Sequence, residues 1–140
     1  MIIKDITIRN FRSYYGENII TFSEGLTLLI GDNGDGKTTF FEALQWLFNT
    51  TTEDMGLTNF SEMRRSQMEI GEEEKISVSM TFEHNGEKSV EKSFIVKRTS
   101  DRFTTTNFIF KGYETTSAGR VQVSGKLLLP LLFIRKNQGK

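Results

Sequence analysis

The nine residues GDNGDGKTT, 31–39, constrain the fold more than any other part of the chain. Gly31, Gly36, Lys37 and Thr38 satisfy the spacing G-x-x-x-x-G-K-[ST]. The apolar run GLTLLIG (25–31) precedes the stretch and reads as a buried strand. After it comes KTTFFEALQWLFN (37–49), apolar at positions 40, 41, 44, 47 and 48 and free of Gly and Pro. That spacing predicts a helix with one strongly apolar face. Strand, glycine turn and helix are the setting in which backbone N–H groups converge on an anion. The glycines permit the turn, and the helix aims its partial positive end at the same point. The reading is a phosphate-binding loop. Lys37 would reach the β- and γ-phosphates as a point charge, and the Thr38 hydroxyl would take one position on a Mg²⁺ ion. A glycine-rich turn capping an ordinary helix is the alternative. Asp32 and Asp35 occupy x positions, where backbone rather than side chain faces the ligand, and Asp35 is expected to address a partner instead of the phosphates.

The remainder of the chain is organised around strands. IIKDITIRNF (2–11) alternates with period two, and NIITF (18–22) reads as its hairpin partner after a Tyr15-Gly16 turn. Residues 50–74 are polar, with one short helix expected around 59–68. KISVSMTF (75–82) and KSVEKSFIVKR (88–98) alternate on either side of EHNGE, and Asn85-Gly86 between two such runs is a strong hairpin signal. RFTTTNFIFKG (102–112) is expected to be a third strand of the meander, and YETTSAGRVQVSG a turn and an edge strand. The parallel βαβ alternation is absent, which points to a mixed α/β lobe.

Composition closes several routes. The 18 basic and 18 acidic residues balance, so net charge favours no polyanionic partner. The basic residues Arg120, Lys126, Arg135, Lys136 and Lys140 follow the last acid, Glu114. They read as a solvated tail or as a phosphate-contacting edge. There is no cysteine, hence no disulfide framework or thiolate metal site. The single histidine, His84, adjoins the Asn85-Gly86 turn and is expected in a loop. The longest apolar run, LLLPLLFI (127–134), is too short to span a bilayer, and the N-terminus lacks a secretion signal's apolar core. No membrane association is expected, and the compartment expected is the cytoplasm, or the nucleoid within it.

Hydrolysis of a nucleoside triphosphate also needs an acid at the end of an apolar strand and a group that positions water. Glu83 ends SMTFE but leads into a hairpin, and LLLPLLFIR ends in arginine. No complete catalytic set is found, so the chain alone is expected to bind ATP without turnover.

The opening 48 residues resemble the N-terminal lobe of the SMC/Rad50-type ABC ATPase heads, a group with DndD-like and RecF/RecN-like members. The likeness lies in a first strand, NFRSY, a second strand, the run F-x-x-G-L-x-x-I-x-G-x-N-G-x-G-K-[ST]-[ST], and then x-x-E-A-[IL]. ISVSMTFEHNGEKSVEKSFIVKR looks like the antiparallel arm that follows in Rad50, and FIRKNQGK looks like a displaced form of that family's I-R-Q-G segment. The resemblance implies an α/β P-loop NTPase fold, with an antiparallel or mixed sheet arm packed on the P-loop helix. It implies one partial domain over 1–140. The divisions are a P-loop region (1–50), a loop with a short helix (51–74), a β-meander (75–125) and a segment leading toward the Q-loop and coiled coil (126–140).

It also implies roles. Arg12 matches an arginine near the nucleotide; a surface arginine at a strand end is the other reading. Asn33, Gly34, Asp35, Gly36, Lys37, Thr38 and Thr39 match the phosphate loop, and Asp35 replaces the small residue usual before its last glycine. Gln138 matches the glutamine that touches Mg²⁺, alongside Thr38. ATP and Mg²⁺ are the implied cofactors. The implied partners are a C-terminal lobe with signature and Walker B motifs, a second head in an ATP-sandwiched dimer, DNA, and a nuclease subunit. The apolar helix face and LLLPLLFI are expected to be covered by that lobe. A complete machine of this kind would act in double-strand-break repair, chromosome organisation or anti-phage defence. Two other readings keep the loop but change the class. One is a transporter-type nucleotide-binding domain; the other is a non-hydrolysing nucleotide-dependent adaptor.

Overall fold

A computed structural model of the chain describes residues 2–21, 35–48 and 56–124, with backbone alone for residue 2 and residues 35–41. Among the described residues seven strands form one sheet: β1 (Ile2–Phe11), β2 (Tyr14–Thr21), β3 (Glu73–Glu83), β4 (Glu87–Arg98), β5 (Phe103–Thr105), β6 (Ile109–Thr116) and β7 (Gly119–Ser124). Their order is β2-β1-β3-β4-β6-β7, with β5 also paired to β4. All of these pairings are antiparallel. The described residues also form the helices α1 (Asp35–Phe48) and α2 (Glu62–Gln67), with a 3-10 turn at Gly56–Asn59.

The β3–β4 hairpin follows from its sequence. Ile76, Val78, Met80 and Phe82 alternate onto one face and are almost fully buried. At the turn, Asn85 (φ 57°) and Gly86 (φ 108°) both adopt the left-handed region that these two residue types tolerate best. His84 lies in this turn, where its backbone N–H donates to the Gly86 carbonyl. Glu83, at the end of β3, pairs with Lys4 at 3.7 Å, and both are half exposed.

Two strand expectations are corrected. The β1–β2 turn is at Arg12 and Ser13, not at Tyr15-Gly16, because β2 already begins at Tyr14. Gly16 (φ 71°) lies inside β2, where its N–H donates to Asn10 Oδ1 at 2.8 Å. The pairing register shifts between Arg9 and Phe11, so the glycine serves a bulge rather than a turn. The single strand expected over 102–112 is broken. β5 stops at Thr105, β6 starts at Ile109, and Phe108 between them packs edge-on against Trp46 and Phe94. The aromatic core claims Phe108 from the ladder. The short helix expected around 59–68 resolves into the 3-10 turn and α2. Ser61 caps α2 by accepting a hydrogen bond from the Arg64 N–H. The expected strand at 25–31 and the segment 126–140 fall outside the described residues.

α1 packs on the apolar face. Ala43, Trp46 and Leu47 are buried at helical spacing, in the cluster that holds Ile6, Ile8, Val78, Val90 and Phe94. Leu44 and Phe48, described residues of the helix's apolar stripe, are partly buried against the same cluster.

Candidate functional site: the phosphate-loop helix and its two anchors

α1 begins at Asp35, so Gly36, Lys37, Thr38 and Thr39 fall in its first turns. There the backbone N–H groups have no intrahelical acceptor and the helix dipole is positive. This is the placement that the motif requires. Gly31, Asn33, Gly34 and Gln138 lie outside the described residues, and of Asp35 to Thr39 only the backbone is described.

Arg12 is brought to this helix. Its Nη1 lies 3.0 Å from Glu42 Oε2, and its Nε donates to Asn59 Oδ1 at 3.0 Å. Glu42 is four residues beyond Thr38, about one turn, or roughly 6 Å, along the axis. Arg12 and its neighbour-but-one Asn10 both have φ 52°, a region that asparagine tolerates and that is costly for arginine. Several hydrogen bonds hold this conformation. The Arg12 N–H donates to the Asn59 carbonyl, the Ser61 N–H donates to the Asn10 carbonyl, and Phe11 bridges to Phe60. The turn after β1 is thus clamped by the segment 59–61 and presents its guanidinium to α1. Both partners of the ion pair are more than a third exposed, so the pair contributes at most about 1 kcal/mol to stability. It places a side chain more than it holds the fold. Sequence reading named Arg12 but neither Glu42 nor Asn59. Glu42 carried a signal, as the acid of the x-x-E-A-[IL] pattern, whereas Asn59 is joined only by tertiary structure.

The other end of α1 is anchored from inside the core. Trp46 packs on Phe11 (centroids 5.5 Å apart), Phe94 (5.8 Å) and Phe108 (5.8 Å). Lys92 of β4 is buried in this cluster, where its Nζ lies 4.6 Å from the ring centres of both Trp46 and Phe108. The ammonium donates to the Trp46 carbonyl at 3.0 Å. That carbonyl is one of the last four of the helix, which lack intrahelical donors. Desolvating an ammonium costs several kcal/mol. A charged hydrogen bond recovers about 1.5–3 kcal/mol, a helix C-terminus up to about 2 kcal/mol, and desolvated cation–π contacts about 2 kcal/mol each. The site is electrostatically complementary to a buried cation. Sequence reading passed over Lys92, although it occupies the inward register shared by Val90, Phe94 and Val96.

Among the basic residues after Glu114, Arg120 is described. Its guanidinium stacks 4.3 Å over Tyr113 and donates to Ser89 Oγ at 3.1 Å, so it is engaged on the sheet. Among the described residues no group of His, Asp or Glu is arranged to hold a metal, and no helix is long and apolar enough to cross a membrane.

Known proteins match much of the chain in sequence. The family model described as "AAA domain" matches residues 5–131. The DNA replication and repair protein RecF of Streptococcus uberis is 39% identical over 87 residues, covering 59% of this chain and 23% of that protein. The DNA double-strand break repair Rad50 ATPase of Methanococcus maripaludis is 30% identical over 128 residues, covering 91% of this chain and 10% of its own length. The chromosome partition protein Smc of Mycobacterium leprae is 32% identical over 69 residues, covering 49% of this chain and 5% of its own. The chain therefore spans at most about a quarter of the length of these relatives.

Proposed function

The chain belongs to the AAA domain family and is of the SMC/Rad50/RecF type, and from that premise we propose that it is the ATP-binding N-terminal half of an ABC-type ATPase head that acts on DNA. The observation that carries the reading is the run of the G-x-x-x-x-G-K-[ST] motif into the first turn of α1, with Arg12 tethered to the same helix through Glu42.

The residues fit a Mg²⁺–nucleoside triphosphate. Backbone N–H groups of Asn33, Gly34, Asp35, Gly36 and Thr39 would surround the phosphates. Lys37 would neutralise the β- and γ-oxygens, and Arg12 would add a guanidinium from the side. Thr38 and Gln138 would hold the Mg²⁺, which supplies charge neutralisation when bound. Asp35 would point toward a partner. Hydrolysis would require a C-terminal lobe contributing signature and Walker B motifs, and two heads would sandwich two nucleotides. DNA as the assembly's substrate is supported by what the names of the relatives say of those proteins. Repair, chromosome organisation and anti-phage defence are the contexts that suit such a head, with a nuclease subunit as an accessory and a cytoplasmic or nucleoid location.

The test is ATP turnover by the full-length protein, with and without double-stranded DNA, beside Lys37→Ala. Mg²⁺-dependent turnover that responds to DNA and is lost in the variant is expected. Turnover that survives Lys37→Ala would remove the phosphate loop from the account.

A further inference from the structure

Lys92 stands where the fold asks for an aliphatic side chain. Its neighbours on the inward register of β4 are Val90, Phe94 and Val96, each fully buried, and it is itself only 3% exposed. A methionine would fill the same volume without a charge to desolvate. Apolar packing such as that of Ala43 and Leu47 is non-directional and leaves a helix free to slide or turn by small amounts on its sheet. The Lys92 contacts are directional. The ammonium bonds one named carbonyl, that of Trp46, and is fixed between two ring faces, those of Trp46 and Phe108. They act on the last turn of the helix whose first turn carries Lys37 and Thr38. Fourteen residues of α-helix form a rod about 21 Å long. A shift or rotation at one end is delivered to the other.

We propose that Lys92 is a positioning residue for the phosphate loop: by clamping the C-terminal turn of α1 to β4 through the Trp46 carbonyl, it sets the height and rotation of the helix N-terminus that receives the nucleotide's phosphates. The proposal rests on the nucleotide-binding reading above. Phosphate recognition by a ring of backbone N–H groups is sensitive to displacement of about 1 Å, so the clamp should be visible in affinity before it is visible in stability.

The experiment compares Lys92→Met with the wild type and with Val90→Ala, a core change on the same strand that leaves the clamp intact, all in the full-length protein. Three quantities are read: melting temperature, MgATP affinity, and hydrogen exchange of the α1 backbone amides without nucleotide. Lys92→Met is expected to melt below the wild type by no more than Val90→Ala does, to bind MgATP about tenfold more weakly, and to exchange faster across residues 36–41. Val90→Ala is expected to melt lower with unchanged affinity. Wild-type affinity and exchange in Lys92→Met would overturn the proposal, as would equal weakening in Val90→Ala. If Lys92→Met does not fold, Lys92→Gln replaces it; its amide can still donate to Trp46, and a loss of more than twofold but less than tenfold is expected, with wild-type affinity again contradicting the role. Absence of MgATP binding by the wild type would sink the nucleotide reading instead. The exchange measurement alone would then decide whether Lys92 orders the far end of α1.

Discussion

The two faces of β3 and β4 are built from the same strands and are chemically opposite. Ile76, Val78, Met80 and Phe82 of β3, with Val90, Phe94 and Val96 of β4, form an apolar floor on which α1 sits. The residues between them, Ser77, Ser79 and Thr81, and Ser89, Glu91 and Ser93, line the other face with hydroxyls and a carboxylate, and Ser79, Thr81, Ser89 and Glu91 border a polar trough with Tyr113, Arg120 and Gln122. An antiparallel sheet can sustain this asymmetry because one face may meet water. The difference separates a face that carries α1, whose first turn holds Lys37 and Thr38, from a face that meets no described helix.

The largest break in the comparison should come from Phe94→Ala, which opens a cavity beneath Trp46 and Phe108. A loss of about 3–5 kcal/mol is expected in a denaturant titration. A value near that of a surface change would mean that the aromatic cluster is not the centre of the core. Gly86→Ala tests the hairpin that joins the two strands. At φ 108° any Cβ is strained, so a loss of about 1–2 kcal/mol is expected, read as a fall in the denaturation midpoint with unchanged slope. On the trough face, Ser79→Ala should lie within about 0.5 kcal/mol of the wild type. It should also leave MgATP affinity alone; a clear fall in affinity would show that the trough communicates with the site.

Tyr14 gives the smallest and most specific contrast. Burial pushes its phenol above the ordinary value of 10.0. The folded state then holds that proton more tightly than the unfolded chain. Its contribution is intact below pH 10 and is lost as pH rises through the raised folded value. Tyr14→Phe should flatten the decline in stability above pH 10, and an unchanged alkaline profile would remove burial of Tyr14 as its cause.

Legibility followed the range of the interactions. The β3–β4 hairpin was readable because period-two alternation and Asn85-Gly86 are both local signals. So was α1, whose apolar spacing and preceding glycine motif lie within twenty residues. Gly16 misled because glycine serves bulges as well as turns, and only pairing with Asn10 distinguishes them. The break at Phe108 was hidden because its cause is a ring contact with Trp46, sixty-two positions earlier. In the candidate site, the placement of Gly36 to Thr39 in the first turns of a helix was legible from spacing. The contacts of α1 and Arg12 with Glu42, Asn59 and Lys92 were not, because each joins residues distant in sequence.

The most direct test of the central claim is calorimetric titration of the full-length protein with MgATP, beside Lys37→Ala and Arg12→Ala. Saturable binding is predicted in the wild type. It should be lost in Lys37→Ala without a change in melting temperature, and weakened about tenfold in Arg12→Ala. Equal binding by all three proteins, or none by the wild type, would contradict the assignment of the α1 N-terminus as a nucleotide site.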